Sequence, residues 1–358
     1  MANWTQNLVE TFYRFAAKGY VPRELFERRV PKPEDLTPRS GPLHIEIVSH
    51  CWNYSRLLKF QLSSLLLSPP RETRITMTVV YSPEDRETDE LLAFFGRQSV
   101  PNVTWNWFPI DKQSLFRRAI GRNLRAKQTT ADWIFFTDCD QMFCRDSLDA
   151  LGRELQGRRD LLVFPRVTHC SDRIADPAEI LAAPPASDSP YVVEADLARF
   201  RPIVNHKAIG PLQIFHGDAA RRLGYCETTP FYQRPVDRWR KTYEDRVVRW
   251  LVGTHGVPIE VPHIYRIEHH HKGRYESRRT PAWMNAILSN AGRTDLLAKL
   301  RRRAAEEFGP YPASPAATVA AVSGSKPRRQ EALMPFGPSP IDSASTRLCR
   351  SPFGGPND

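Results

Sequence analysis

Nowhere does this 358-residue sequence approach the roughly 20 consecutive apolar residues of a membrane span, so no transmembrane helix is expected. The opening residues, Met1 to Asn7, contain no basic segment running into an apolar one, and no secretory leader is read there. Cysteine is sparse: six residues with no close Cys-x-x-Cys pair exclude a disulfide framework and a zinc knuckle, and point to a reducing cytoplasm. Internal repeats are absent. Acidic residues are in deficit, 40 against 51 Lys and Arg, for a net charge of +11. Such a chain attracts polyanions, whether nucleic acid, anionic lipid or nucleotide phosphate. Apart from Arg301-Arg302-Arg303 the arginines are scattered, and no nucleic-acid-binding motif accompanies them, so nucleic acid is not the expected partner.

What remains is a globular composition, 41% hydrophobic and 25% charged, long enough for two domains or one large α/β domain with appendages. Residues 1–42 read as an N-terminal helical extension and a connector. Leu8, Phe12, Phe15 and Ala16 recur at helical spacing beside Trp4 and Tyr13. One reading packs this stripe on the main domain. The other lays it in a membrane interface, where aromatic rings with nearby Lys and Arg are at home. Pro31, Pro33, Pro38 and Pro42 stiffen the connector.

From Leu43 the pattern alternates. Strands are expected at His44–Val48, Arg74–Tyr81, Asn102–Phe108 and Trp133–Thr137, with helices at Tyr54–Leu67, Glu84–Gln98 and Leu115–Thr129 between them. This rhythm predicts a mostly parallel sheet flanked by helices, with ligands bound beyond the carboxyl ends of the strands. That rim would carry Ser49-His50, Tyr81-Ser82 and Asp138-Cys139-Asp140. The second half is less regular, with strands expected at Leu161–Pro165 and Pro258–Ile267 and helices at Ala219–Leu223 and Tyr243–Val252. A helical segment is expected over 276–308. From Gly309 to Asp358, Pro, Ser, Gly and Ala dominate without apolar periodicity, the composition of a disordered tail.

Asp138-Cys139-Asp140 carries the most chemistry. At a strand end, alternate residues point the same way, so both carboxylates can face one spot while Cys139 turns back. Two close carboxylates suit a hard divalent ion, Mn²⁺ or Mg²⁺, which also grips a diphosphate. An isolated Asp-x-Asp is common among solvated loop carboxylates. After an apolar strand in a βαβ array it says much more.

The order of motifs resembles the GT-A glycosyltransferases of the large family 2 type. Asp138-Cys139-Asp140 is similar to their nucleotide-sugar metal motif, and Gly121-Arg122-Asn123-Leu124 resembles the Ala-Arg-Asn segment one helix before it. Ser49-His50-Cys51-Trp52-Asn53-Tyr54-Ser55-Arg56 is similar to the first strand and turn. Leu223-Gly224-Tyr225-Cys226-Glu227 resembles the Gly-Gly-aromatic-Asp-Glu stretch, and Trp239 with Tyr243-Glu244-Asp245 the acceptor-side motif. The likeness spans residues 43–275, divided into a nucleotide-sugar half (43–140) and an acceptor half (141–275). It implies a GT-A fold and nucleotide-sugar contacts at Ser49, His50, Asn53, Arg56, Arg122, Asn123 and Asp138. Where the family carries an Asp that meets the nucleobase, this chain has Tyr81-Ser82-Pro83-Glu84-Asp85, leaving Glu84 or Asp85 as substitutes.

Sugar transfer requires charge neutralisation at the leaving diphosphate and a carboxylate to take the acceptor's proton. Asp245 is the candidate base, with Glu244 binding acceptor hydroxyls or fixing the base; a plain helix-start carboxylate pair is the alternative. His269 and His271 share a face of an extended His269-His270-His271, and the resemblance makes either one a metal ligand beside Asp138 and Asp140. Lys272 and Arg274 follow where a loop can meet the diphosphate. Gln213 reads as a loop amide lining the sugar pocket or as a satisfied core amide. Trp239 reads as a sugar platform or a core filler.

The expected function is therefore a metal-dependent glycosyltransferase, inverting by resemblance. It would use a nucleotide-diphospho-sugar donor and a carbohydrate or lipid-linked acceptor, in the cytoplasm or peripherally at the inner face of the membrane. A nucleotidyltransferase-like enzyme would want a Gly-rich phosphate loop, and His50 to Arg56 has no glycine. A non-catalytic nucleotide-sugar or carbohydrate-binding protein would be favoured by loss of the metal or base carboxylates, and Asp138, Asp140 and Asp245 are all present.

Overall fold

The computed structural model describes the backbone of residues 2–186, 190–239 and 243–270, and side chains from Leu8 onward within them. All belong to one compact unit, residues 1–280. The expectations placed on His271, Lys272, Arg274, the segment 276–308 and the tail 309–358 lie outside the described residues.

Helix α1 (Ala2–Phe15) precedes the sheet. There follow β1 (His44–Cys51), α2 (Ser55–Leu67), β2 (Arg74–Tyr81), α3 (Arg86–Phe95), β3 (Val103–Pro109), α4 (Lys112–Leu115), α5 (Arg118–Gln128) and β4 (Trp133–Phe136). The second half contributes β5 (Gln141–Phe143), α6 (Ser147–Glu154), β6 (Leu162–Pro165), β7 (Val167–Ser171), β8 (Phe200–Val204), β9 (Gln213–His216), α7 (Gly217–Leu223), α8 (Glu244–Val252), β10 (Val257–Ile259) and β11 (Ile264–Arg266).

Seven strands form the main sheet in the order β10-β6-β9-β4-β1-β2-β3. Its pairs are parallel except those of β9, which runs antiparallel to β4 and β6. The fold is thus α/β with a mixed, mostly parallel sheet flanked by helices. Strands β1 and β4 are almost wholly buried, as continuous apolar runs covered on both faces should be. A second, four-stranded sheet has the order β5-β11-β7-β8.

Three departures from the sequence expectations shape the site. The single helix expected over 115–129 is broken at Phe116-Arg117, where Asp111 has capped α4 and Arg117 takes a non-helical ψ of 84° before α5 begins. The strand expected over 258–267 divides at His263 (φ 59°), so β10 joins the large sheet and β11 the small one. Gln213 is the satisfied core amide of its two readings, in neither a loop nor a pocket wall. It begins β9, fully buried, in a strand whose four residues are too short to register as an alternating run.

The N-terminal extension packs on α8. Tyr13 and Ala16 are buried, Phe26 meets Trp250 at 5.2 Å between ring centroids, and the Trp250 indole donates to the Val21 carbonyl at 2.9 Å. Among the described residues no helix is long and apolar enough to cross a membrane.

Helix α5 rests on β1 and β2 through Gly121. A Cβ there would stand 2.4 Å from His50 Nε2 and 2.8 Å from Val80 Cγ1. Gly121→Ala would gain about 1 kcal/mol of helix propensity yet overpack this contact by roughly 1–3 kcal/mol. The variant should show a lowered urea midpoint with unchanged slope; a raised midpoint would mean that α5 lifts away without cost.

Candidate active site

Beyond β4 the chain turns at Asp138-Cys139-Asp140, with the Gln141 amide donating to the Asp138 carbonyl at 3.3 Å. Both carboxylates line a cleft of about 650 Å³, which Tyr54, Arg118, Trp239, Asp245 and His269 also line. Cys139 is buried beneath. Its hydrogen bond to Cys51, reinforced by burial, raises its thiol well above the usual range, so it stays protonated.

Two arginines one turn apart on α5 hold this centre together. Arg118 donates from Nη1 to Asp138 Oδ1 at 2.9 Å, and its Nη2 and Nε lie 2.7 and 2.8 Å from Glu244 Oε1. Burial alone would favour the neutral guanidinium, but Glu244 and Asp138 override it and raise the Arg118 pKa. Arg122, with no exposed side-chain surface, reaches Asp138 Oδ1 at 3.4 Å, the Thr137 carbonyl at 3.3 Å and Tyr225 Oη at 2.9 Å. Tyr225 Oη donates in turn to Gln213 Oε1 at 2.7 Å, and Gln213 Nε2 donates to the Asp245 carbonyl at 3.2 Å. Two bridges therefore run from the turn after β4 to the start of α8. One is ionic through Arg118 and Glu244; the other passes through Arg122, Tyr225 and Gln213.

Asp245 lies in the first turn of α8, where the helix dipole favours a carboxylate. It faces the cleft and pairs with Arg249 Nη1 at 3.3 Å. Glu244 is 3% exposed and does not reach the cleft surface, so its reach to a ligand would pass through Arg118. Trp239 lines the cleft, set edge-on to Phe116. His269 Nε2 is 3.8 Å from Asp140 Oδ2, and its ring meets Tyr54 edge-on at 5.3 Å.

Other residues expected at the nucleotide-sugar lie outside the cleft lining, and some of them brace it. Ser49 donates to Gln61 Oε1 at 2.6 Å, and Gln61 Nε2 donates to the Asp138 carbonyl at 3.1 Å. Arg122 and Gln213 act only through the buried bridge. Asn123 Oδ1 accepts from the Tyr225 amide at 2.9 Å. Asp85 caps α3 through Thr88 and accepts the Asn53 amide at 2.6 Å. Arg56 pairs with Asp176 on the surface, and Glu84 is exposed 3.9 Å from Lys112. His50 is buried under Gly121 with neither ring nitrogen hydrogen-bonded. Ser49, His50, Arg122, Asn123 and Gln213 lie on β1, α5 and β9, within or against the core.

Arg118 was not singled out from the sequence. The available signal was its place four residues before Arg122, which puts two guanidinium groups on one helix face.

Among the described residues no three His, Cys, Asp or Glu side chains are close enough to enclose a metal ion unaided. Asp138, Asp140 and His269 nevertheless offer two carboxylates and an imidazole to one cleft. That donor set fits Mg²⁺ or Mn²⁺ bound in the manner typical of phosphoryl sites, by one or two carboxylates plus substrate phosphates.

No protein-family model and no curated protein matches the sequence. Among solved structures, the chain is similar to S. aureus TarS 1-349, at 12% identity and TM-score 0.38 over 64% of this chain and 58% of that one. The complex of TarS 1-349 with UDP gives 11% identity and TM-score 0.41 over 63% of this chain and 60% of that one. The complex with UDP-GlcNAc gives 12% and 0.42, over 74% and 73%. The chain thus spans less than two thirds of the TarS chain in the first two.

Burial, aided by the nearby Arg122 and Arg118, holds the His50 imidazole well below its ordinary pKa. An imidazole depressed in the folded state takes up its proton on unfolding. Its stabilising neutrality is therefore complete above about pH 6.5 and eroded as the pH falls below that unfolded value, by up to roughly 1.4 kcal/mol per pH unit. His50→Leu should flatten the acid side of the stability curve, read as urea midpoints at about pH 7.5 and 5.5. An unchanged slope would mean that His50 ionises within the fold.

Proposed function

We propose that the protein is a glycosyltransferase moving a sugar from a nucleotide-diphospho-sugar to an acceptor hydroxyl. The observation that carries this reading is that Asp138 and Asp140, at the end of a buried parallel strand, face the same cleft as Asp245 at the start of α8. A donor-side and an acceptor-side carboxylate thus meet across one cavity.

In this reading the diphosphate lies against Asp138, Asp140 and His269, which would hold Mn²⁺ or Mg²⁺. The ion, when bound, supplies Lewis-acid stabilisation of the leaving phosphate. Arg118 adds a fixed positive charge on the same side, its guanidinium already oriented by Asp138 and Glu244. Trp239 offers a ring face for a sugar, and Arg173 and Arg266 also line the cleft, each paired with Glu268. Asp245 takes the proton of the acceptor hydroxyl as its oxygen attacks the anomeric carbon. The bond from that carbon to the phosphate oxygen breaks, and the nucleoside diphosphate leaves with the electron pair. Attack from the face opposite the leaving group inverts the anomeric centre.

Two variants test the reading. Asp140→Ala should lose Mn²⁺-dependent binding of nucleoside diphosphates, screened with a panel that includes UDP and UDP-GlcNAc, while keeping its melting temperature. Unchanged affinity in Mn²⁺ would remove Asp140 from the donor site.

Asp245→Asn keeps the shape and removes the proton acceptor. Donor affinity should survive while transfer, or donor hydrolysis in the absence of acceptor, falls roughly 10²–10⁴-fold. If Asp245 serves only α8 and Arg249, the variant should instead lose about 1 kcal/mol of stability with turnover nearly intact. The three readouts on one variant separate a catalytic from a structural carboxylate.

A further inference from the structure

Six of the ten large hydrophobic side chains exposed among the described residues fall between Leu8 and Leu25. Leu8, Phe12 and Phe15 recur at helical intervals of four and three, so they share one face of α1. It borders the face of Tyr13 and Ala16 buried against the domain: Phe12 meets Phe26 at 6.0 Å between ring centroids, yet stays 42% exposed. Phe15 stacks on Tyr20 at 4.5 Å, and the residues Phe12, Phe15 and Tyr20 are 42–65% exposed. Single exposed hydrophobics are ordinary, but an aromatic cluster on one helix and the turn after it is not.

Beside it lies a cavity of about 580 Å³ between the N-terminal segment and α8. Arg14, Lys18, Lys207 and Arg246 line it, all exposed, and no carboxylate of the described residues forms an ion pair with any of them. Arg14 and Arg246 stand over the Tyr243 ring at 4.5 and 4.8 Å, which fixes their heads together without neutralising them. A packed inner face, an exposed aromatic face and a basic flank form the arrangement of a helix lying in a headgroup layer. A free anion would account for the cations and leave the aromatics without a role. A second copy of this basic patch would repel the first.

We propose that the N-terminal segment docks the protein on a membrane surface carrying anionic lipid, with Leu8, Phe12, Phe15 and Tyr20 in the acyl boundary and Arg14, Lys18, Lys207 and Arg246 on the headgroup phosphates. The docking goes beyond the transfer reaction and stands independently of it. Helix α8 connects the two, because Asp245 faces the cleft and Arg249, one turn later, lines the basic cavity. A membrane-borne acceptor would then arrive on the side of the candidate base.

The test is flotation of the full chain with vesicles of phosphatidylcholine alone and of phosphatidylcholine mixed with phosphatidylglycerol. Binding to the mixed vesicles only is expected, weakening with salt. Phe12→Ser with Phe15→Ser should abolish it. Arg14→Gln with Lys18→Gln should weaken it roughly 25-fold, about fivefold for each charge near the surface. Binding of a nucleoside diphosphate should be unchanged in both. Failure to float with either vesicle, equal binding to neutral vesicles, or retention in both variants would overturn the proposal. So would displacement from mixed vesicles by millimolar inorganic phosphate, which would identify a free-anion site. A dimer in sedimentation that Phe12→Ser dissociates would assign the face to a second copy. Should the phenylalanine variant unfold, the Arg14/Lys18 variant, changed only at exposed positions, decides alone.

Discussion

The two guanidinium groups of α5 are the constraint on which the rest of the site depends. Arg118 and Arg122 both converge on Asp138 Oδ1, and from there each reaches the second half of the chain by a different route. Taking such charges out of water is costly, and isolated buried pairs contribute little net stability. What this network provides is position. The turn after β4 and the start of α8 are more than a hundred residues apart in sequence, and the Arg118–Glu244 contact fixes them across one cleft. A side chain displaced by one ångström at Asp138 would be felt at Glu244 through a single planar group.

The elements around this network explain why so many polar residues of the first half are buried. Ser49, Gln61, Arg122, Tyr225 and Gln213 form hydrogen-bonded chains within the core, ending on backbone carbonyls at Asp138 and Asp245. Buried hydrogen-bonded networks specify one arrangement, whereas apolar packing alone tolerates several. The carboxylates that face solvent are in this way presented by groups that never touch it.

The parallel half of the sheet was readable because its signal is local. Arg74–Tyr81 was placed to the residue, and β1, β3 and β4 within one or a few positions, since apolar β-branched runs between capped helices leave few alternatives. The outward Asp138 and Asp140 followed from the end of such a strand. Gln213 was not readable as a strand residue, since β9 pairs antiparallel with β4 some eighty residues earlier, and nothing within four residues encodes that partner. The break between α4 and α5 was missed for a similar reason: Asp111 satisfies a short helix, and the restart at Arg118 serves a contact with Glu244 far along the chain. Resemblance supplied roles for Ser49, His50, Arg122 and Asn123, and none of the four lines the cleft. Tertiary partners, which a pattern of residue types does not contain, made the difference.

The contact between Gly121 and His50 has a wider meaning. One position has no side chain because the other has a ring, and the shared volume sets how closely α5 approaches the sheet and hence how far Arg118 and Arg122 extend towards Asp138. Sequence drift at these sites is therefore coupled: a chain that acquires a methyl group at 121 can keep the same reach only if residue 50 shrinks and Val80 gives way as well. The pair works as a spacer, in which the size of a residue far from solvent determines the placement of charge at the surface.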